Sequence, residues 1–284
     1  MKRRRRTLLL ALLATLVLVS TCSAASSLGR GASYLLARQQ SGGGFAEPGA
    51  SSSAGLTSWV VLGLKADGRE PANVSGAVDY LAGATQTQAT DLELRLLALD
   101  ALAQDTSSLA DAIERLRQAS GRIGPAFNST YWGVIALRAA GRAISPTTVR
   151  FILRSQRKNG GWSWSPRAAA DAGDTAAAIQ ALRAAGESAR SAQIKRAVRY
   201  LRRCQNTDGG FAVSSTADSD AQSTAWAIQA LIVARKDPGK AAFRYLKKLQ
   251  RSDGSFRYSK RYVTTPTWVT AQVLCALARK PFPF

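Results

Sequence analysis

Histidine is absent from the 284 residues. That removes Ser-His-Asp and Cys-His nucleophile systems, imidazole general bases and every His-ligated zinc or iron site. Cysteine is scarce: three residues build neither a disulfide framework nor a four-cysteine metal site. Acidic side chains are few, 18 Asp and Glu against 39 Lys and Arg, a net charge of +21. No stretch alternates apolar and polar residues as a half-buried strand does. The apolar run from Leu8 to Val19 is too short to span a bilayer, which takes about 20 residues. What is left, 46% hydrophobic and 20% charged, is ordinary globular material for one large domain or two small ones.

The first residues read as a targeting device. Lys2 and Arg3 to Arg6 precede that apolar run, and small residues follow through Ser27. This is the order of a secretory signal peptide, with cleavage expected after Ala25. Val19-Ser20-Thr21-Cys22 also resembles a lipobox, so a lipid anchor at Cys22 is the competing expectation. The chain divides into a leader, 1–25, and one domain, 26–284, expected outside the cytoplasm, secreted, periplasmic or on the cell envelope.

Beyond the leader the charge is uneven. Residues 26–141 hold 9 basic and 10 acidic side chains, whereas residues 142–284 hold 25 and 8. Lys195, Arg196, Arg199, Arg202 and Arg203, and again Lys240, Arg244, Lys247, Lys248 and Arg251, recur at three- and four-residue spacing, one face of a helix. A solvated outer surface accounts for them, and contact with an anionic envelope surface is the functional alternative. An exported chain without a basic-plus-aromatic module is not expected to bind nucleic acid.

The chain repeats itself. Gln39 to Gly43-Gly44-Phe45, Gln156 to Gly160-Gly161-Trp162, Gln205 to Gly209-Gly210-Phe211 and Gln250 to Gly254-Ser255-Phe256 share one pattern. Each is Gln, three residues, Gly, Gly or Ser, then an aromatic. Each follows an amphipathic helical pattern, so the glycines are expected to stop a helix. The Gln amide can bridge backbone groups of neighbouring helices. Degenerate copies are expected at Gln86 and Gln118. A Thr then precedes a Leu by seven positions in six places: Thr57, Thr90, Thr130, Thr175, Thr224 and Thr267. The segments they begin, such as Ala176 to Leu182, are apolar all round and therefore buried. Six buried and six charged helices in alternation predict a closed double ring, with all six inner N-termini on one rim.

These repeats resemble those of the prenyltransferase and squalene-hopene cyclase superfamily. The resemblance implies an all-α (α/α)6 toroid of about twelve helices over nearly all of residues 28–284. It also implies a search for the family's chemistry. A cyclase resemblance implies an acidic DxDD motif at the start of an inner helix, followed by Thr-Ala. Asp171-Ala-Gly-Asp174-Thr175-Ala176 keeps the last Asp, with Gly173 where the proton donor belongs. Asp218 and Asp220 precede Gln222-Ser223-Thr224, and a two-residue shift of register would make Asp220 a donor. Asp174 and Asp220 are therefore the weak acid candidates. Zinc prenyltransferase chemistry is not expected without histidine, and no metal or cofactor is predicted. Cobalamin carriers have a similar toroid, which makes cobalamin a candidate ligand.

The remaining signal is aromatic. Trp59, Trp132 and Trp226 stand five positions before the registered Leu, with Leu92, Ala177 and Val269 in the other units. Together with Asp171, Asp174, Thr175, Asp218, Asp220 and Thr224 they are the expected cavity and rim. The function expected is a monomeric binding protein for an apolar or terpenoid-like small molecule. A reduced terpene cyclase using an Asp acid, and an envelope scaffold with a basic surface, are the alternatives.

Overall fold

The computed structural model describes residues 27–283, so the leader and Cys22 lie outside the described residues. Twelve helices follow in order. Six form an inner ring: α2 (Ala54–Ala66), α4 (Ala89–Ala101), α6 (Phe127–Ala139), α8 (Ala172–Ala184), α10 (Ala221–Val233) and α12 (Pro266–Leu277). Each packs on the next, and α12 packs on α2, closing the ring. Outside run α1 (27–36), α3 (Val74–Ala82), α5 (Ser107–Arg115), α7 (Pro146–Arg154), α9 (Ala192–Arg203) and α11 (Lys240–Lys248). The described residues contain isolated β-bridges and no sheet. The architecture is the all-α toroid that the repeats predict.

Polarity sorts the two rings. In α10, ten of the thirteen residues are buried, from Ala221 through Leu231. In α9, Ile194, Ala197, Tyr200 and Leu201 turn inward while Lys195, Arg196, Arg199, Arg202 and Arg203 stay in solvent. Fully burying one such aliphatic side chain stabilises the fold by about 1.5–3 kcal/mol. The long basic side chains keep the outer face soluble.

The repeat motifs are joints between outer helices. The Gln39 amide donates to the carbonyls of Gly43 (2.9 Å) and Asn73 (2.8 Å) and accepts from Asn73 N–H, pinning its own turn to the cap of α3. Gln156 repeats this with Gly160 and Gln193, and Gln250 with Gly254 and Ser27, the last joint linking α11 back to α1. Gln205 bonds Gly209 in the same way.

The glycines do not stop helices. The C-caps of α7, α9 and α11 are Ser155, Cys204 and Leu249, each in right-handed helical geometry. The glycine sits in the tight turn beyond. Gly43 has φ +85°, and a Cβ there would collide with the backbone of Gly76 at the start of α3. Close approach to the next outer helix, rather than termination, requires the residue.

The third unit corrects another expectation. Arg117, not Gln118, occupies the place of Gln39, since Arg117 bridges Ile123 as Gln39 bridges Phe45. The motif there is Arg117 to Gly121-Arg122-Ile123, with Gly121 at φ +89°. An apolar residue that fits the same hole replaces the aromatic, which is why the copy is hard to see in sequence.

Candidate functional site

In five of the six units one hydrogen bond ties the residue that ends the turn motif to the inner helix. Backbone N–H groups of Phe45, Ile123, Trp162, Phe211 and Phe256 donate to the hydroxyls of Thr57, Thr130, Thr175, Thr224 and Thr270, at 2.8–3.0 Å. The aromatic then folds back over its outer helix: the Trp162 indole donates to Ile152 O at 2.7 Å. Thr175 and Thr224 are thus buried joints of the scaffold and do not line the cavity.

This bond also fixes the register and corrects two units. In the sixth unit the partner is Thr270, not Thr267, whose hydroxyl instead donates to Ala46 O. In the second unit the fourth position of the inner helix, where α2, α6, α8 and α10 carry Thr, is Leu92. The positions equivalent to Trp59, Trp132, Ala177 and Trp226 are therefore Leu94 and Gln272, both of which line the cavity, rather than Leu92 and Val269. Thr90 and Thr267 stand seven residues before a Leu without holding the joint position of their units.

The six inner N-termini converge on a cavity of about 480 Å³. Its floor is the tryptophan trio. Trp59, Trp132 and Trp226 have ring centroids 4.9–5.7 Å apart and stand at 65–87° to one another. Phe282, from the segment after α12, packs on Trp59 and Trp132 at 6.0 and 5.8 Å, and its N–H donates to Gln180 Oε1 at 2.8 Å. The Trp226 indole donates to Gln272 Oε1 at 3.1 Å. Trp164, Trp268 and Tyr258 join the walls, so five of the six tryptophans line one cavity. Edge-to-face packing of this kind adds about 0.5–1.5 kcal/mol per pair.

Two carboxyls reach the cavity, those of Asp171 and Asp174. Asp171 caps α8 by accepting Asp174 N–H at 2.8 Å. Burial and the adjacent Asp171 carboxyl push Asp174 up to about 9, so at neutral pH it holds a proton. Asp220 occupies the corresponding place on α10 and caps it through Ser223 N–H at 2.7 Å. No two-residue shift occurs: Asp220 and the exposed Asp218 line a neighbouring polar groove, with Asp218 3.8 Å from Arg261. Of the residues predicted for the rim, the fold brings together Trp59, Trp132, Trp226, Asp171 and Asp174.

Sequence reasoning did not assign Leu94, Val213, Tyr258 or Gln272 to this cavity. Leu94 and Gln272 were legible only once the Thr hydrogen bonds of the other units set the register, and Val213 and Tyr258, from loops, had no periodic signal. Cys204 and Cys275 are free and buried, and the described residues hold no cluster of His, Cys, Asp and Glu suited to a metal.

Residues 147–271 match the squalene-hopene cyclase C-terminal domain family. No curated protein matches the sequence. Among solved structures, a protein from Actinoplanes is 20% identical with a TM-score of 0.69, the match covering 90% of this chain and 99% of that one. A type II terpene cyclase from Scytonema, in complex with its substrate geranylgeranyl dihydroxybenzoate, is 20% identical with a TM-score of 0.65 over 90% and 97%. The geranylgeranyltransferase-I of Candida albicans, complexed with GGPP, is 16% identical with a TM-score of 0.63 over 79% and 83%. The chain thus has the toroid fold of the prenyltransferase and terpenoid-cyclase superfamily, with a squalene-cyclase-type segment in its second half.

Proposed function

We propose that the protein binds an apolar, isoprenoid-like small molecule in the mouth of the toroid. The observation that carries this is the concentration of five tryptophans around one cavity of about 480 Å³, within the range of small-molecule sites. The Scytonema enzyme of the same fold holds a geranylgeranyl-bearing substrate, which supports the ligand class. Trp164, Val213 and Trp268, which line this mouth, are exposed, which supports uptake of the ligand from a lipid surface. The leader supports a location outside the cytoplasm. Solvent extraction of the purified protein followed by mass spectrometry tests the reading. An isoprenoid-sized apolar species present at stoichiometric level supports it. A corrinoid, visible by its absorbance, would replace it with a carrier.

One observation favours a second reading, an acid-catalysed terpene cyclase. Asp174 borders the apolar cavity and keeps its proton to about pH 9. Gly173 leaves the middle acid position empty, so Asp174 would act as the donor to an alkene, with Asp171 holding the developing charge. Cyclised product from a linear polyprene, lost in Asp174→Asn, would establish it.

A further inference from the structure

We infer that the ligand's polar end is a cationic amine rather than a phosphate or carboxylate. The inference rests on the cavity being a small-molecule site, and it concerns which head group that site accepts.

The charge at this cavity is inverted relative to the rest of the chain. The chain carries 39 Lys and Arg, yet among the described residues none lines this cavity, whose ionisable carboxyls are Asp171 and Asp174. Anionic groups are held in proteins by Arg forks, Lys or free helix N-terminal N–H groups. Arg157, whose charge is felt at Tyr131, spends its guanidinium on Ser163 Oγ and on the carbonyls of Ser165, Pro166 and Ala168.

The inner N-termini are the one feature that would draw an anion here, and donors at four of the six, on α6, α8, α10 and α12, are already engaged. Asp171 and Asp220 cap α8 and α10, and the Glu47 carboxylate accepts both Thr267 and Trp268 N–H at the start of α12. Loop carbonyls of Trp164, Val213 and Tyr258 accept Phe127, Ala172 and Ala221 N–H at 2.7–2.9 Å. Carboxyl oxygens thus occupy the first-turn donors of three helix ends, and carbonyls of the following loop close α6, α8 and α10.

The aromatic floor offers a second attraction for a cation. The three indoles of the floor stand at 65–87° to one another, so they cannot all be edge-on to the same opening. Rings in such a cage attract an ammonium through their negative faces. The Asp171 and Asp174 carboxyls, side by side at the start of α8, are the acidic groups that face it.

Calorimetric titration with farnesol, N,N-dimethylfarnesylamine and farnesyl diphosphate, one chain with three head groups, tests this. The protonated amine is expected to bind about tenfold tighter than the alcohol, and the diphosphate more weakly than both. Asp171→Asn preserves the helix cap, since Asn caps as well as Asp, and is expected to collapse the amine-to-alcohol ratio toward one. An amine that binds no better than the alcohol, a diphosphate that binds best, or a ratio indifferent to Asp171→Asn overturns the inference while leaving the cavity a small-molecule site. Failure of all three compounds to bind overturns both.

Discussion

Replacing Trp226 by Ala probes the floor of the toroid. The side chain is 6% exposed. It meets Trp132 at 4.9 Å and Trp59 at 5.7 Å and donates to Gln272. Deleting a buried aromatic of this size costs about 3–5 kcal/mol. Two edge-to-face pairs and the loss of a partner for Gln272, whose Nε2 already lacks one, act in the same direction. One side of the ring borders a cavity that water can enter, which moves the expectation to the lower end, about 3 kcal/mol. At about 2–4 °C per kcal/mol for a chain of this size, Tm should fall by roughly 6–12 °C. A thermal melt with and without farnesol reads both consequences, because the same truncation removes ligand contact and should weaken binding by about 1–3 kcal/mol. Trp226→Phe should recover most of the stability. A Tm within a degree or two of the parent would refute the description of the trio as a packed floor.

The remaining expectations concern the scaffold and its buried acids. Thr57→Val keeps shape but leaves the Phe45 N–H without an acceptor, and should cost about 1–3 kcal/mol in a denaturant titration. Gly43→Ala should destabilise more than Gly49→Ala in the same assay: both sit at positive φ, but only at Gly43 would the methyl strike a neighbouring helix. Folded Asp174 keeps its proton to about pH 9, while unfolded it loses it near the ordinary 3.8. Its contribution is therefore full below about pH 4 and lost as pH climbs to about 9. Asp174→Asn should flatten melts between those limits and melt above the parent at pH 8. Glu93 is fully buried with neither carboxyl oxygen partnered, so Glu93→Leu should raise stability by about 1–3 kcal/mol.

The toroid was legible because it is a repeat. Apolar inner and charged outer helices recur with the Gln-to-aromatic turns between them, and only ring closure buries six all-apolar segments at once. The local roles were less legible. A glycine after a helical pattern reads as a stop, while the requirement at Gly43 is the nearness of Gly76, 33 positions on and invisible to local pattern. The Thr register failed in two units because Leu92 takes the place of Thr in α4 and because Thr267 stands three residues ahead of Thr270 in α12. The Trp trio was in register and found. Gln272 and Leu94 carried no chemical resemblance to tryptophan and were missed. Asp171 and Asp220, alike in sequence, do the same capping, yet only Asp171 reaches the cavity, while Asp220 lines the neighbouring polar groove.

The central claim is that a small apolar molecule occupies the space above Trp59, Trp132 and Trp226. Because five of the six tryptophans line that space, intrinsic fluorescence reports it directly. Titration with farnesol is expected to give a saturable change in emission intensity and wavelength, with a matching rise in Tm, both weakened in Trp226→Ala. Emission and Tm that stay constant up to the solubility limit of the alcohol would contradict the claim.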